Sequence, residues 1–155
     1  MAELRGCDFP DDLLYDADTH LWFAPEAEGV YRVGVTPFGV AIAGEILLFT
    51  AKPAGVRLAA GRSFGLLEAG KTVFPVKTPL AIELLEANPA LERSARAMNR
   101  DAYGCWLVRV RADAAAAVLQ GWPAARAAIE RQMALWRFAH LDGFVAPALE
   151  GRAGV

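Results

Sequence analysis

Only three lysines occur in this chain of 155 residues, Lys52, Lys71 and Lys77, and the remainder of its 16 basic residues are arginines. One of the three stands in a setting that could put its amine to chemical use. Lys71 lies in Phe64-Gly65-Leu66-Leu67-Glu68-Ala69-Gly70-Lys71-Thr72-Val73-Phe74-Pro75-Val76-Lys77, where apolar runs flank the dipeptide Gly70-Lys71. Two short runs joined by two residues, Gly first, predict a hairpin with a type II′ turn, because Gly adopts φ > 0 there at little cost. That geometry lifts Lys71 onto an exposed tip, with its ammonium in water and its stem clear of the sheet. A lysine displayed in this way can hold an attached prosthetic group out to partners. A solvated turn lysine with no further role fits the same pattern.

Other chemistry is sparse. No Ser/His/Asp set can be argued from spacing, and there is no Gly-rich phosphate loop and no HExxH metal pair, so neither catalytic nor metal-ligating residues are assigned. His20 falls in a strand beside Trp22, as a packed or rim histidine or as a base. His140 ends an apolar helix, where a cationic imidazole favours the dipole end. Cys7 and Cys105 belong to no CxxC pair or His cluster; Cys105 reads as a small buried residue and Cys7 as part of an exposed lead-in. A net charge of −2 without a basic run speaks against nucleic acid. No signal-peptide pattern or membrane-length apolar stretch is present, which predicts a cytoplasmic protein.

The elements that must position Lys71 read as short strands. Residues 4–18 predict a helical turn or an extended lead-in, and residues 19–23 a first strand ended by Pro25. Residues 30–35 are β-branched and extended. Thr36-Pro37 opens a short helix to Ala43, stopped by Gly44. Strands follow at 45–50, 56–58 and 79–86, with Pro75 and Pro79 confined to strand ends or edges. Asn88 caps a helix-prone piece to Met98, and 105–111 is a late strand. From residue 112 alanine dominates: 112–119 is helical, and Pro123 starts a helix to about His140. Its stripe of Ile129, Met133, Trp136 and His140 is a docking face against the barrel or a face for a partner. Residues 147–155 should fray.

Taken together, several pieces resemble the glycine cleavage H-protein family, whose members carry lipoic acid on one lysine. Thr19-His20-Leu21-Trp22 is similar to that family's early His-x-Trp strand. Val33-Gly34-Val35-Thr36 and Ala43-Gly44-Glu45-Ile46 are similar to its VGxT and GDI elements. Glu68-Ala69-Gly70-Lys71 stands where the family has ESxK. Gly55, sixteen residues before Lys71, matches a glycine of lipoyl domains, and Asn99-Arg100-Asp101-Ala102-Tyr103-Gly104 with Trp106-Leu107 is similar to N-x-DPYG and GWL. The resemblance covers about residues 13–111.

It implies a mainly β fold with added helices, a lipoyl-domain-like barrel/sandwich hybrid with a C-terminal helix. The division expected is an H-protein-like lipoyl domain over 1–111 and a helical extension over 112–155. It further implies a non-catalytic carrier with lipoic acid on Lys71, Glu68 and Gly70 serving presentation and ligase recognition, and a lipoate ligase or lipoyl transferase as partner. The lead-in 5–15 and the pattern Gly70-Lys71-x-Val73-x-Pro75-Val76 resemble a side branch, the lipoate-binding proteins of heterodisulfide-reductase-like sulfur oxidation. The expected clients are therefore a heterodisulfide-reductase-like complex, or glycine decarboxylase and aminomethyltransferase, met by a monomer or weak dimer. A non-lipoylated binding module is the competing reading. Ile82 stands where lipoyl domains place a turn glycine; φ > 0 there would cost Ile82 about 1–3 kcal/mol, so a rebuilt turn is expected.

Overall fold

The computed structural model describes residues 1–70 and 72–146. Lys71, with the exposed-tip placement expected of it, and residues 147–155, expected to fray, lie outside the described residues. The lead-in is not helical. Alternation of buried and exposed side chains makes it a hairpin of β1 (Ala2–Leu4) and β2 (Cys7–Phe9) around Arg5-Gly6, followed by β3 (Leu14–Asp16). Cys7, expected to be exposed, is fully buried, because it is an inward residue of β2.

Strand β4 (Leu21–Ala27) begins one residue past His20, which corrects the placement of that histidine in a strand. The Asp16 carboxylate accepts hydrogen bonds from the Thr19 N–H and hydroxyl (3.0 and 2.6 Å), closing a turn that leaves His20 at φ 61°. Pro25 does not end the strand. The chain runs on to Ala27 with an irregular register between the two, one way a sheet absorbs a missing N–H. β5 (Val30–Val35) pairs with β4. Helix α1 (Pro37–Ala43) starts at the expected cap, Thr36, whose Oγ1 accepts from the Gly39 N–H at 3.1 Å.

Next come β6 (Ile46–Ala51), β7 (Arg57–Leu58), β8 (Ser63–Ala69), β9 (Thr72–Lys77) and β10 (Ile82–Ala87). Ile82 opens β10 opposite Leu58, is 5% exposed, and is not among the described positive-φ residues, so the turn is indeed rebuilt without strain there. The piece expected to be helical from Asn88 to Met98 forms two 3₁₀ turns, Pro89–Leu91 and Arg96–Asn99. Asn88 caps the first through a bond from the Ala90 N–H at 3.0 Å. Then follow β11 (Val108–Arg111), α2 (Ala115–Val118), β12 (Gln120–Gly121) and α3 (Arg126–Leu135). Cys105 precedes β11 and is only partly buried, not the core residue expected.

Helix α3 is shorter than the span 123–140. Arg137 takes φ 52° and donates its N–H to the Ala134 carbonyl, while the Phe138 N–H reaches the Met133 carbonyl at 2.8 Å. This is a Schellman ending with arginine in the glycine position, and it turns Phe138 back under the helix beside Met133. His140 therefore lies beyond the helix, not at its dipole end.

Among the described residues the strands form a seven-stranded sheet, β12-β3-β4-β5-β11-β10-β7, a three-stranded sheet, β6-β8-β9, and the β1-β2 hairpin. Strand β4 alternates between two cores. Leu21 and Phe23 face the three-stranded sheet with Val33, Phe64, Leu67, Leu84 and Val110, while Trp22 faces Phe9, Tyr15, Phe38, Ile129, Met133 and Phe138. Each such side chain removed from water contributes about 1.5–3 kcal/mol. Gly34 is glycine because its neighbour is an indole: a Cβ there would lie 2.3 Å from Trp22 Cζ2.

Candidate functional site

The hairpin predicted around Gly70-Lys71 is present. Ala69 pairs with Thr72 and Glu68 with Val73, so two residues make the loop. Gly70 has φ 55°, is exposed, and a Cβ there would meet nothing within 4 Å, so its glycine answers to backbone conformation, not crowding. Its N–H donates to the Glu45 carbonyl at 2.9 Å, tying the loop to the start of β6. The Asn99 side chain holds that start in turn, accepting from the Ile46 N–H (2.8 Å) and donating to the Ile46 carbonyl (2.9 Å). The base of the hairpin is thus positioned by Asn99, a residue that sequence reading singled out only as part of a resemblance.

Glu68 is half-buried in the middle of the three-stranded sheet, between Leu48 and Val73. Pro75, expected at a strand end or edge, lies in edge strand β9. Gly55 has φ 93° and donates its N–H to the Leu84 carbonyl at 2.7 Å.

Beside the hairpin lies a cleft of about 480 Å³, lined by Leu67 and Phe74 to Lys77 on one side and by Asp18, His20 and Trp136 on the other. Sequence reading missed it, because its walls come from parts distant in the chain: β8, β9, the turn before β4, α1 and the end of α3. His20 packs edge-on against Phe38 (centroids 5.2 Å apart, 87° between planes). Burial pushes its pKa from 6.5 down to about 4, opposed by the Asp18 carboxylate, so it is neutral at ordinary pH. Its ring meets the Phe38 ring, its carbonyl accepts from the Thr36 N–H at 2.9 Å, and no hydrogen bond to the imidazole is formed among the described residues. Cys7 is inert by the same physics, burial holding its thiol up at about 12. No cluster of three or more metal-ligating side chains occurs among the described residues, and no described helix is long and apolar enough to cross a membrane.

A Gly-led hairpin on a small sheet, packed against a larger one, has the form of a presentation scaffold. Comparison with known proteins gives that scaffold its family. A family model, the glycine cleavage H-protein, matches residues 13–131. The chain is 36% identical over 116 residues to glycine cleavage system H protein 5 of Aquifex aeolicus, covering 72% of this chain and 78% of that one. It is 42% identical over 106 residues to the glycine cleavage system H protein of Chlorobium limicola, covering 67% and 82% respectively. The crystal structure of a glycine cleavage system H protein from Mycobacterium marinum superposes with a TM-score of 0.67 at 30% identity, over 80% of this chain and 98% of that one.

The chain belongs to the glycine cleavage H-protein family: it is a non-catalytic lipoyl carrier with the H-protein fold, not an enzyme. Members of the family typically carry a lipoyl-lysine. The described surroundings suit such a group, since the space around Gly70 is open and the cleft flanking the hairpin is lined by the apolar Val35, Ile42, Leu67 and Phe74, which suit a dithiolane.

Proposed function

We propose that Lys71 carries the lipoyl group and that the protein passes an arm-bound intermediate between partner enzymes. The observation that carries this reading is the two-residue loop led by a positive-φ Gly70 in a chain of this family, with lysine as its second residue. Attachment forms an amide between the Lys71 Nζ and the lipoyl carboxyl carbon, with the activating group and a proton leaving to the attaching enzyme, a lipoate ligase or lipoyl transferase. When bound, the group supplies a dithiol/disulfide pair; the protein supplies reach, docking and a high local concentration at each client. Gly70 presents the lysine, and Glu68, next to the tip, is a recognition point for the attaching enzyme.

Two cargoes fit such an arm. The relatives are named as glycine cleavage proteins, which favours an aminomethyl cargo passed from glycine decarboxylase to an aminomethyltransferase. The lead-in 5–15 and the pattern Gly70-Lys71-x-Val73-x-Pro75-Val76 resemble the sulfur branch and favour a sulfur-bound cargo served to a heterodisulfide-reductase-like complex. The test is reconstitution of the lipoylated protein with each client pair, following the species bound to the arm by intact mass. Turnover with glycine decarboxylase alone assigns the aminomethyl cargo. Turnover with the heterodisulfide-reductase-like complex alone assigns the sulfur cargo.

A further inference from the structure

We propose that Trp136, at the end of α3, is a positioning residue for the acylated arm: its indole is the wall against which a dithiolane held in the cleft beside the hairpin packs. The proposal rests on Lys71 being the attachment residue and deepens that reading. The family model matches residues 13–131, so Trp136 is not among the residues by which the chain belongs to its family, and the wall is an addition made by the C-terminal extension.

The cleft joins residues that meet only in the folded chain. Leu67 and Phe74 pair across β8 and β9, two rungs from the Ala69–Thr72 pair that closes the loop, or about 7 Å at the rise of a strand. A four-carbon lysine stem extended by an acyl chain spans that distance. Trp136 lines the same cleft, and its place there is fixed by the chain around it. Its N–H donates to the Gln132 carbonyl at 3.1 Å, Arg137 turns the chain at φ 52°, and the fully buried Phe138 anchors the turn. One turn earlier, Gln132 Nε2 donates to the Asp18 carboxylate at 3.3 Å, which joins α3 to another lining residue of the cleft. The indole packs against the second core yet is only partly buried. Tethering selects the occupant. A ring attached at the loop meets this cleft at an effective concentration that a free ligand does not reach. A dithiolane is a small apolar ring with two polarisable sulfurs, and sulfur packs favourably against aromatic rings, of which Phe74 and Trp136 provide two.

The experiment takes the full chain lipoylated on Lys71 and measures reduction of the arm disulfide by tris(2-carboxyethyl)phosphine, with free lipoamide as reference. Only the undocked fraction is open to the phosphine, so protection follows docking. Wild type should react about fivefold or more slowly than lipoamide, Trp136→Ala about threefold or more faster than wild type, and Trp136→Phe within about twofold of wild type. Phe74→Ala, which opens the cleft from the sheet side, should also react faster, and Leu135→Ser, at a residue 76% exposed on α3, should match wild type. The indole N–H signal of Trp136, identified by its loss in Trp136→Phe, should shift when the wild type is lipoylated; it decides the matter if Trp136→Ala lowers the melting temperature. An unmoved indole signal overturns the proposal, as does wild-type reduction as fast as that of lipoamide. So does a Trp136→Ala rate equal to wild type while Phe74→Ala is faster, which would leave the arm in the cleft without this wall. No acylation of the wild type overturns the Lys71 reading, and the proposal with it.

Discussion

Phe138 lies beyond the residues matched by the family model, and the structure gives it a larger role than a tail residue would have. It is fully buried, its ring packs against Phe38 (centroids 4.9 Å apart) and Phe144 (4.8 Å), and its carbonyl accepts from Arg5 Nη1 at 2.8 Å. Replacing it with alanine removes a buried ring from a cluster shared by the β1-β2 hairpin, α1 and α3. Buried Phe→Ala changes cost about 3–5 kcal/mol, and aromatic pairs add to area burial, so the upper half of that range applies if the site does not collapse. For a domain of this size such a loss lowers the melting temperature by roughly 6–20 °C. Urea unfolding followed by tryptophan fluorescence and far-UV circular dichroism reads the effect. Both probes should shift together, because Trp22 lies in the same cluster. A cost under about 1 kcal/mol, or a shift confined to fluorescence, would refute the claim that residues 126–144 and the sheet unfold as one unit.

Three further outcomes follow from the geometry. Gly34→Ala drives a methyl into the Trp22 indole, whose Nε1 donates to the Val35 and Ala102 carbonyls (3.1 and 3.3 Å); it should cost about 1–3 kcal/mol in urea unfolding, whereas a neutral result would mean the indole is not held there. Asn99→Ala removes both bonds to Ile46 and should cost about 1–3 kcal/mol, with faster amide exchange at Gly70; unchanged exchange there would contradict the clamp. His20 stays neutral in the folded chain down to about pH 4 but takes a proton near 6.5 when unfolded, so the unfolded state binds more protons between those values. Stability is therefore full above pH 6.5 and declines by about 1–3 kcal/mol as pH falls toward 4. His20→Gln should flatten that decline, and a folded-state NMR pKa at or above 6.5 would contradict it.

What the sequence revealed was governed by local rules. The Thr36-Pro37 start of α1, the Gly-led loop after Ala69 and the Asn88 cap all follow from short-range chemistry, and each stands where residue type put it. His20 was misplaced because the strand pattern of Leu21-Trp22-Phe23 extends smoothly backward, while the Asp16–Thr19 turn that interrupts it leaves no mark in hydrophobic periodicity. Cys7 was misread because a three-residue strand is too short to show alternation. The end of α3 was hidden because arginine, not glycine, takes the positive φ at 137. The cleft depends on contact between elements distant in the chain.

The central claim, a lipoyl carrier modified on Lys71, is tested most directly by intact-mass measurement of the protein after incubation with a lipoate ligase, lipoate and ATP, beside a Lys71→Arg control. The account predicts a gain of one lipoyl amide in wild type and none in the control, with Lys52 and Lys77 untouched by peptide mapping. No gain in wild type, or an equal gain in the control, would contradict it.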